Sequence, residues 1–303
     1  MNKWLGVAVA TLIAGGAFAQ QEQAGAADFR ACQDAVKKND FDGIIASCEK
    51  ALSANADLFL GNYYLGYAYR AKKGYDKCAA NFDTFLQKIG NNAEAADMIN
   101  NSTREAGLCY ARGSSPTKAT SYLEKAASAK PNDTQVQLAL GITQMRANRE
   151  GAAEQAFAKV IQLDPTRHRP YYYAGRINFN QQDWAKATQR LEKYLELKPD
   201  DTFAADSHFM VGSMAVRGAE DSPDAAAANQ KAVTHLTLFL EAKPDAPQAP
   251  QAHYILGSLA AQAEDNAAAI THFERYLELE PNGAQADEVK KFLADLSEAE
   301  ADN

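Results

Sequence analysis

Leu140-Gly141 leads to Ala153, Phe157, Val160 and Pro165, and Ala174-Gly175 leads to Ala187, Leu191, Tyr194 and Pro199. The two stretches correspond position for position at a spacing of 34 residues. Ala106-Gly107, with Ala119, Leu123, Ala126 and Pro131, matches them 34 residues earlier. Leu65-Gly66 with Cys78, Phe82 and Phe85 extends the series toward the N-terminus, and Leu256-Gly257 with Ala269, Phe273, Tyr276 and Pro281 extends it toward the C-terminus. Each unit reads as a helix, a turn and a second helix. The glycine lets the first helix approach the second, and the alanine sits on the facing side. The large residue after it fills the space between them, and the proline stops the second helix. Such a pair keeps an apolar face that only a neighbouring pair can cover.

The period and its small, large and proline positions resemble the tetratricopeptide repeat. The resemblance implies an all-α fold, a right-handed superhelix (α-solenoid) of about seven helix-turn-helix repeats plus a C-terminal capping helix. It covers residues 29–296. The first repeat turns at Asn39-Asp40-Phe41-Asp42, with a second helix from Gly43 to Leu52. Asn91 to Asn100 add residues before the third repeat. The sixth repeat is irregular, with a long loop from Val216 to Pro223 and a second helix from Ala225 to Ala242. Ala284 to Leu296 reads as the lone capping helix, and residues 297–303 as an acidic tail. The stretch from Pro247 to Gly257 is similar to those of exported tetratricopeptide proteins, which implies an envelope adaptor.

Residues 1–19 stand apart. Lys3, the apolar run Trp4 to Ala14 and Ala17-Phe18-Ala19 read as a secretory signal peptide cleaved before Gln20. A linker would then occupy residues 20–28. The expected location is periplasmic or secreted, with no membrane insertion after cleavage. Lys and Arg number 31 against 39 Asp and Glu, a net charge of -8, which argues against nucleic acid as a general partner.

Export permits disulfides. In the repeat frame Cys32 takes the glycine position of the first repeat and Cys48 its large second-helix position, and these face each other. Cys78 takes the alanine position of the second repeat, and Cys109 lies on the first helix of the third. Cys32–Cys48 with Cys78–Cys109 is the natural choice among three connectivities. Four small buried fillers are the alternative.

No His-Glu-x-x-His, Gly-rich phosphate loop or Gly-x-Ser-x-Gly occurs, so no catalytic residue, metal site or cofactor is expected. His208 and His253 share one repeat position and His235 and His272 another, which reads as scaffold. Asn101-Ser102-Thr103 fits a glycosylation acceptor but falls where a helix N-cap is expected.

In this family, set positions of the first helices line a concave groove. The resemblance places Tyr63, Tyr67, Arg70, Arg104, Arg112, Met145, Arg146, Tyr172, Arg176, Phe179 and Phe209 there, while lysines such as Lys125, Lys159 and Lys193 fall on second helices. Arginine and aromatic residues dominate binding hot spots, and arginine pairs with carboxylates. The expected function is a scaffold for a protein or peptide partner, with Tyr67, Arg104, Tyr172 and Arg176 as direct contacts. A carrier of a small or lipidic ligand, or an enzyme whose site is assembled by tertiary structure, are the alternatives.

Overall fold

The computed structural model describes residues 24–197, 202–219 and 224–301, so the expected signal peptide lies outside the described residues. The chain divides between Asp164 and Pro165 into two compact units. The first unit holds four antiparallel pairs: α1 (Ala26–Lys38) with α2 (Phe41–Ala54), α3 (Leu60–Ala71) with α4 (Tyr75–Ile89), α5 (Ala96–Arg112) with α6 (Pro116–Ala129), and α7 (Thr134–Arg146) with α8 (Glu150–Leu163). The second holds α9 (His168–Asn180) with α10 (Trp184–Glu196), α11 (Phe203–Ala219) with α12 (Ala225–Ala242), α13 (Ala249–Gln262) with α14 (Asn266–Leu279), and the terminal α15 (Ala286–Ala301). Within each unit successive first helices touch, as repeat stacking requires. The arrangement is an α-solenoid.

The periodic residues do what their spacing implies. A Cβ at Gly141 would sit 2.6 Å from the Phe157 ring, and one at Gly175 would sit 2.7 Å from Leu191. Phe157, Leu191 and the alanines before them are fully buried. Five of the turns inside the pairs share one form. Asn39, Lys73, Asn148, Gln182 and Glu264 all adopt a left-handed backbone at one repeat position, with φ between 55° and 61°. The next amide then bonds back into the first helix, as Asp40 N to Ala35 O at 3.0 Å and Asp183 N to Asn178 O at 2.9 Å. This closes the first helix with a Schellman-type bond. Where the residue making it is an aspartate, it also caps the second helix: Asp40 accepts from Gly43 N at 3.0 Å and Asp265 from Ala268 N at 3.1 Å.

Three expectations are corrected. α11 runs on to Ala219, so residues 216–219 are helix rather than loop. The residues added before the third repeat are largely helical. Asn92 caps a short 3-10 turn, and α5 starts at Ala96. Asn101-Ser102-Thr103 is therefore helix interior, with Ser102 fully buried and its Oγ unpaired, not an N-cap. α15 likewise continues to Ala301, into the segment expected as a tail.

The cysteines meet as the repeat frame favours. Cys32 on α1 and Cys48 on α2 have Cα atoms 5.1 Å apart, and Cys78 on α4 and Cys109 on α5 6.1 Å apart. Both lie within the span of a disulfide. The first pair lies within one repeat, whereas the second joins two.

Candidate partner-binding face

The first helices of the N-terminal unit carry the expected groove residues, and most of them are already engaged. Glu105 on α5 is 5% exposed and accepts from two guanidiniums. One is Arg70 of α3 and the other is Arg104, at 2.6 Å. Arg104 also donates to Asp133 at 2.6 Å and to Gln135 Oε1 at 2.7 Å. Asp133 is itself the cap of α7, taking the amides of Gln135 and Val136 at 3.0 Å each. Burial works against the Asp133 carboxylate, but the bonds from Arg104 and these amides outweigh it and hold the group below the ordinary carboxylate range. A chain of alternating charge thus ties α3 to α5 to α7. Its two arginines are matched by two carboxylates.

Tyr67 lies half-buried beside this chain, and its ring meets Tyr63 at 5.0 Å and Phe82 at 5.1 Å. Burial, reinforced by Tyr63 and Glu105, pushes its phenol far above the usual range, so it stays a neutral hydroxyl. Tyr63 is only 9% exposed, packed among Tyr64, Phe82 and Phe85. Arg112 is exposed and sits 5.7 Å over the Tyr75 ring, with no ion pair among the described residues. Arg146 is exposed and donates to Ala111 O at 3.1 Å, while Met145 is half-buried. Leu138 and Ile142 on α7 are also half-exposed.

In the C-terminal unit the expected contacts are mostly packing. Tyr172 is 2% exposed and stacks on Phe203 at 4.4 Å. Arg176 lies 5.7 Å over the same ring. Phe179 meets the Trp184 edge at 5.5 Å, and Phe209 packs against Phe239 at 5.1 Å. Tyr172, expected as a direct contact, and Tyr63, expected in the groove, are therefore corrected: they fill the space between neighbouring helices and present little surface to a ligand. Glu105 was missed, although its place beside Arg104 was a signal. An acid between two repeats' arginines neutralises them from within.

The histidines meet in a way the sequence did not suggest. His208 Nδ1 of α11 lies 2.8 Å from His235 Nδ1 of α12, and His253 Nδ1 of α13 lies 3.0 Å from His272 Nδ1 of α14. In each pair one ring N–H donates to the other ring's lone pair. Burial, then the partner imidazole and a nearby cation (Lys231 or Arg275), push His235 and His253 down to about 4, against the pull of Glu192 and Glu278. Burial alone lowers His208 and His272.

Residues 138–202 and 214–284 match the tetratricopeptide-repeat family model. These stretches carry tetratricopeptide repeats. The matched stretches fall on the fourth to seventh helix pairs; the first two pairs repeat the same turn without matching, and the third turns differently, with φ -90° at Gly113. None of the curated proteins compared with the chain matches it. Solved structures share the fold at low identity. The C-terminal part of a TPR repeat-containing protein from Cytophaga hutchinsonii aligns with a TM-score of 0.61 at 16% identity, over 86% of this chain and 98% of that one. YrrB, described as a TPR protein with an unusual peptide-binding site, aligns with a TM-score of 0.52 at 21% identity, over 62% and 93%. Pseudomonas aeruginosa pilF aligns with a TM-score of 0.51 at 12% identity, over 75% and 95%. Tetratricopeptide repeats make a scaffold suited to protein–protein interaction.

Proposed function

We propose that this chain is an exported scaffold, released by cleavage after Ala19 into the periplasm or the medium, that binds a segment of an envelope protein and carries out no reaction of its own. Its binding strip is the first-helix face of the N-terminal unit, formed by Tyr67, Leu138, Ile142 and Met145 beside the fixed side chains of Arg70 and Arg104. The observation that carries this reading is the charge chain through Glu105. It holds the polar groups in place before any ligand arrives, so less freedom is lost on binding. The half-exposed apolar residues beside it offer the area that anchors a peptide. The peptide-binding site of YrrB, a protein of similar fold, supports the same use. Two cysteine pairs at disulfide separation are consistent with an oxidising compartment.

The test is photo-crosslinking in living cells from Tyr67 and Met145, with Lys125 and Lys159 on second helices as controls. Adducts to one defined protein from the first pair alone support the strip. Adducts from the controls alone would move the binding surface to the outer face. N-terminal sequencing of the mature chain should begin at Gln20, and an intact Met1 in the envelope fraction would exclude cleavage.

A further inference from the structure

The first helices of the N-terminal unit all end at one edge, and they end in cations. Lys37 and Lys38 close α1, Lys72 and Lys73 follow α3, Arg112 closes α5, and Arg146 and Arg149 flank the α7–α8 turn. Bonds between successive ends fix this edge. Arg146 reaches Ala111 O at the end of α5, and Ser114 N and Oγ donate to Asp76 at 3.0 and 2.9 Å. Helix dipoles favour cations at such ends, which accounts for their presence but not for what they bind. Some are spent internally: Lys37 pairs with Asp34 at 2.8 Å and Lys72 with Asp42 at 3.0 Å. Arg149 is exposed and has no ion pair or hydrogen bond from its side chain among the described residues.

Beside Arg149 the edge opens into a cavity of about 450 Å³. It runs between α6 and the α7–α8 turn. Thr117, Thr120, Ser121 and Glu124 form one wall, and Arg146 and Arg149 the other. Two guanidiniums thus face hydroxyls across an open space, with one opposing carboxylate.

We propose that this notch binds the carboxylates of an acidic segment in the partner protein, a reading that rests on the scaffold function above. Arg149 supplies the free planar fork that a carboxylate takes in two parallel bonds. Arg146, with one bond already made to Ala111 O, keeps further donors for the same group. Thr117 and Ser121 add neutral donors. Glu124 limits the site to a small anionic load, since it cancels part of the positive charge. The local surplus fits a few carboxylates on a short segment. It does not fit a duplex or an anionic bilayer, which needs many paired cations along its length, in a chain of net charge -8.

The experiment uses the full chain and fluorescence anisotropy, with a labelled short Asp/Glu-rich peptide and its Asn/Gln counterpart. The acidic peptide should bind, weaken with salt, and exceed the amide counterpart by about tenfold or more. Arg149→Glu should cost about tenfold or more, Arg149→Lys much less, and Glu124→Gln should tighten binding, whereas Lys159→Glu should change it less than about twofold. The Arg149 side chain makes no bond among the described residues, so its replacement should leave the fold intact, and circular dichroism checks this. Equal binding of the two peptides, or no response to Arg149→Glu, overturns the proposal. So does binding of duplex DNA or anionic vesicles in preference to the peptide. Loss of acid preference with the Tyr67 crosslink retained removes the notch alone. Loss of that crosslink in the unaltered chain removes the scaffold reading itself.

Discussion

Glu105 shows how one side chain can decide what a surface is for. Two arginines on neighbouring first helices suggest a positive groove when read in sequence. The carboxylate between them, 5% exposed, turns the same residues into a structural brace. Replacing it with glutamine should leave Arg70 and Arg104 with an unmatched charge at a half-buried site. Breaking a buried pair from one side costs about 3–5 kcal/mol, and the partial exposure of both arginines reduces this to about 2 kcal/mol. Chemical denaturation of Glu105→Gln should show that loss, and an unchanged midpoint would mean that the brace contributes nothing. The periodic glycines, alanines and large residues were legible because each occupies a place fixed by the distance between two helices. The pairs of Arg70 with Glu105 and of Arg104 with Asp133 were not, because they join residues on different repeats, and a pattern that compares a repeat with itself does not reveal what lies between repeats. Burial of Tyr63 and Tyr172 was hidden for the same reason: the rings that cover them come from the other helix of the pair or from the next pair.

At the scale of the element, the helix pair is held by contact so close that it tolerates no added atom. A Cβ at Gly141 would meet Phe157 at 2.6 Å, inside the distance that real contacts allow. Gly141→Leu or Gly175→Leu should therefore destabilise by about 1–3 kcal/mol or more and loosen the neighbouring pair. Thermal unfolding with hydrogen exchange would read both effects. Element boundaries were less legible: α5 begins within the residues added before the third repeat and α11 runs into the expected loop, because neither 96–100 nor 216–219 holds a proline to stop a helix. The histidine pairs give the sixth and seventh helix pairs a pH dependence. The folded values lie below the unfolded value of about 6.5, so the unfolded chain binds protons that the folded pairs refuse. Their contribution is present in full above about 6.5 and is lost as pH falls toward about 4, where folded His235 and His253 take up their protons. The groups facing the rings, Glu192 and Lys231 at the first pair and Arg275 and Glu278 at the second, moderate this without reversing it. The melting temperature should drop over that window, and His235→Gln with His272→Gln should flatten the drop. An identical pH profile in the variant would show that the pairs do not set it.

For the whole molecule, the cysteines divide the chain chemically. All four lie in the N-terminal unit, so their oxidation state bears on that unit alone. With both bonds formed, reduction should remove about 3 kcal/mol per bond from the N-terminal unit in the chain-entropy account and leave the other unit as it was. Segment-resolved hydrogen exchange with and without reductant would separate the two, and equal loss in both units would contradict it. The bonds that cross repeat boundaries reach further. Tyr69 of the second repeat donates to Glu49 of the first, Tyr110 of the third donates to Asp83 of the second, and Arg104 of the third donates to Asp133 at the head of the fourth. No repeat of this unit owns a complete joint. Excising an inner repeat would bring donors and acceptors together that were never matched, and exchanging two repeats would strand several at once. These repeats look like interchangeable bricks in the sequence, but they are keyed to their neighbours. The unit can be lengthened or shortened at its ends far more readily than it can be shuffled.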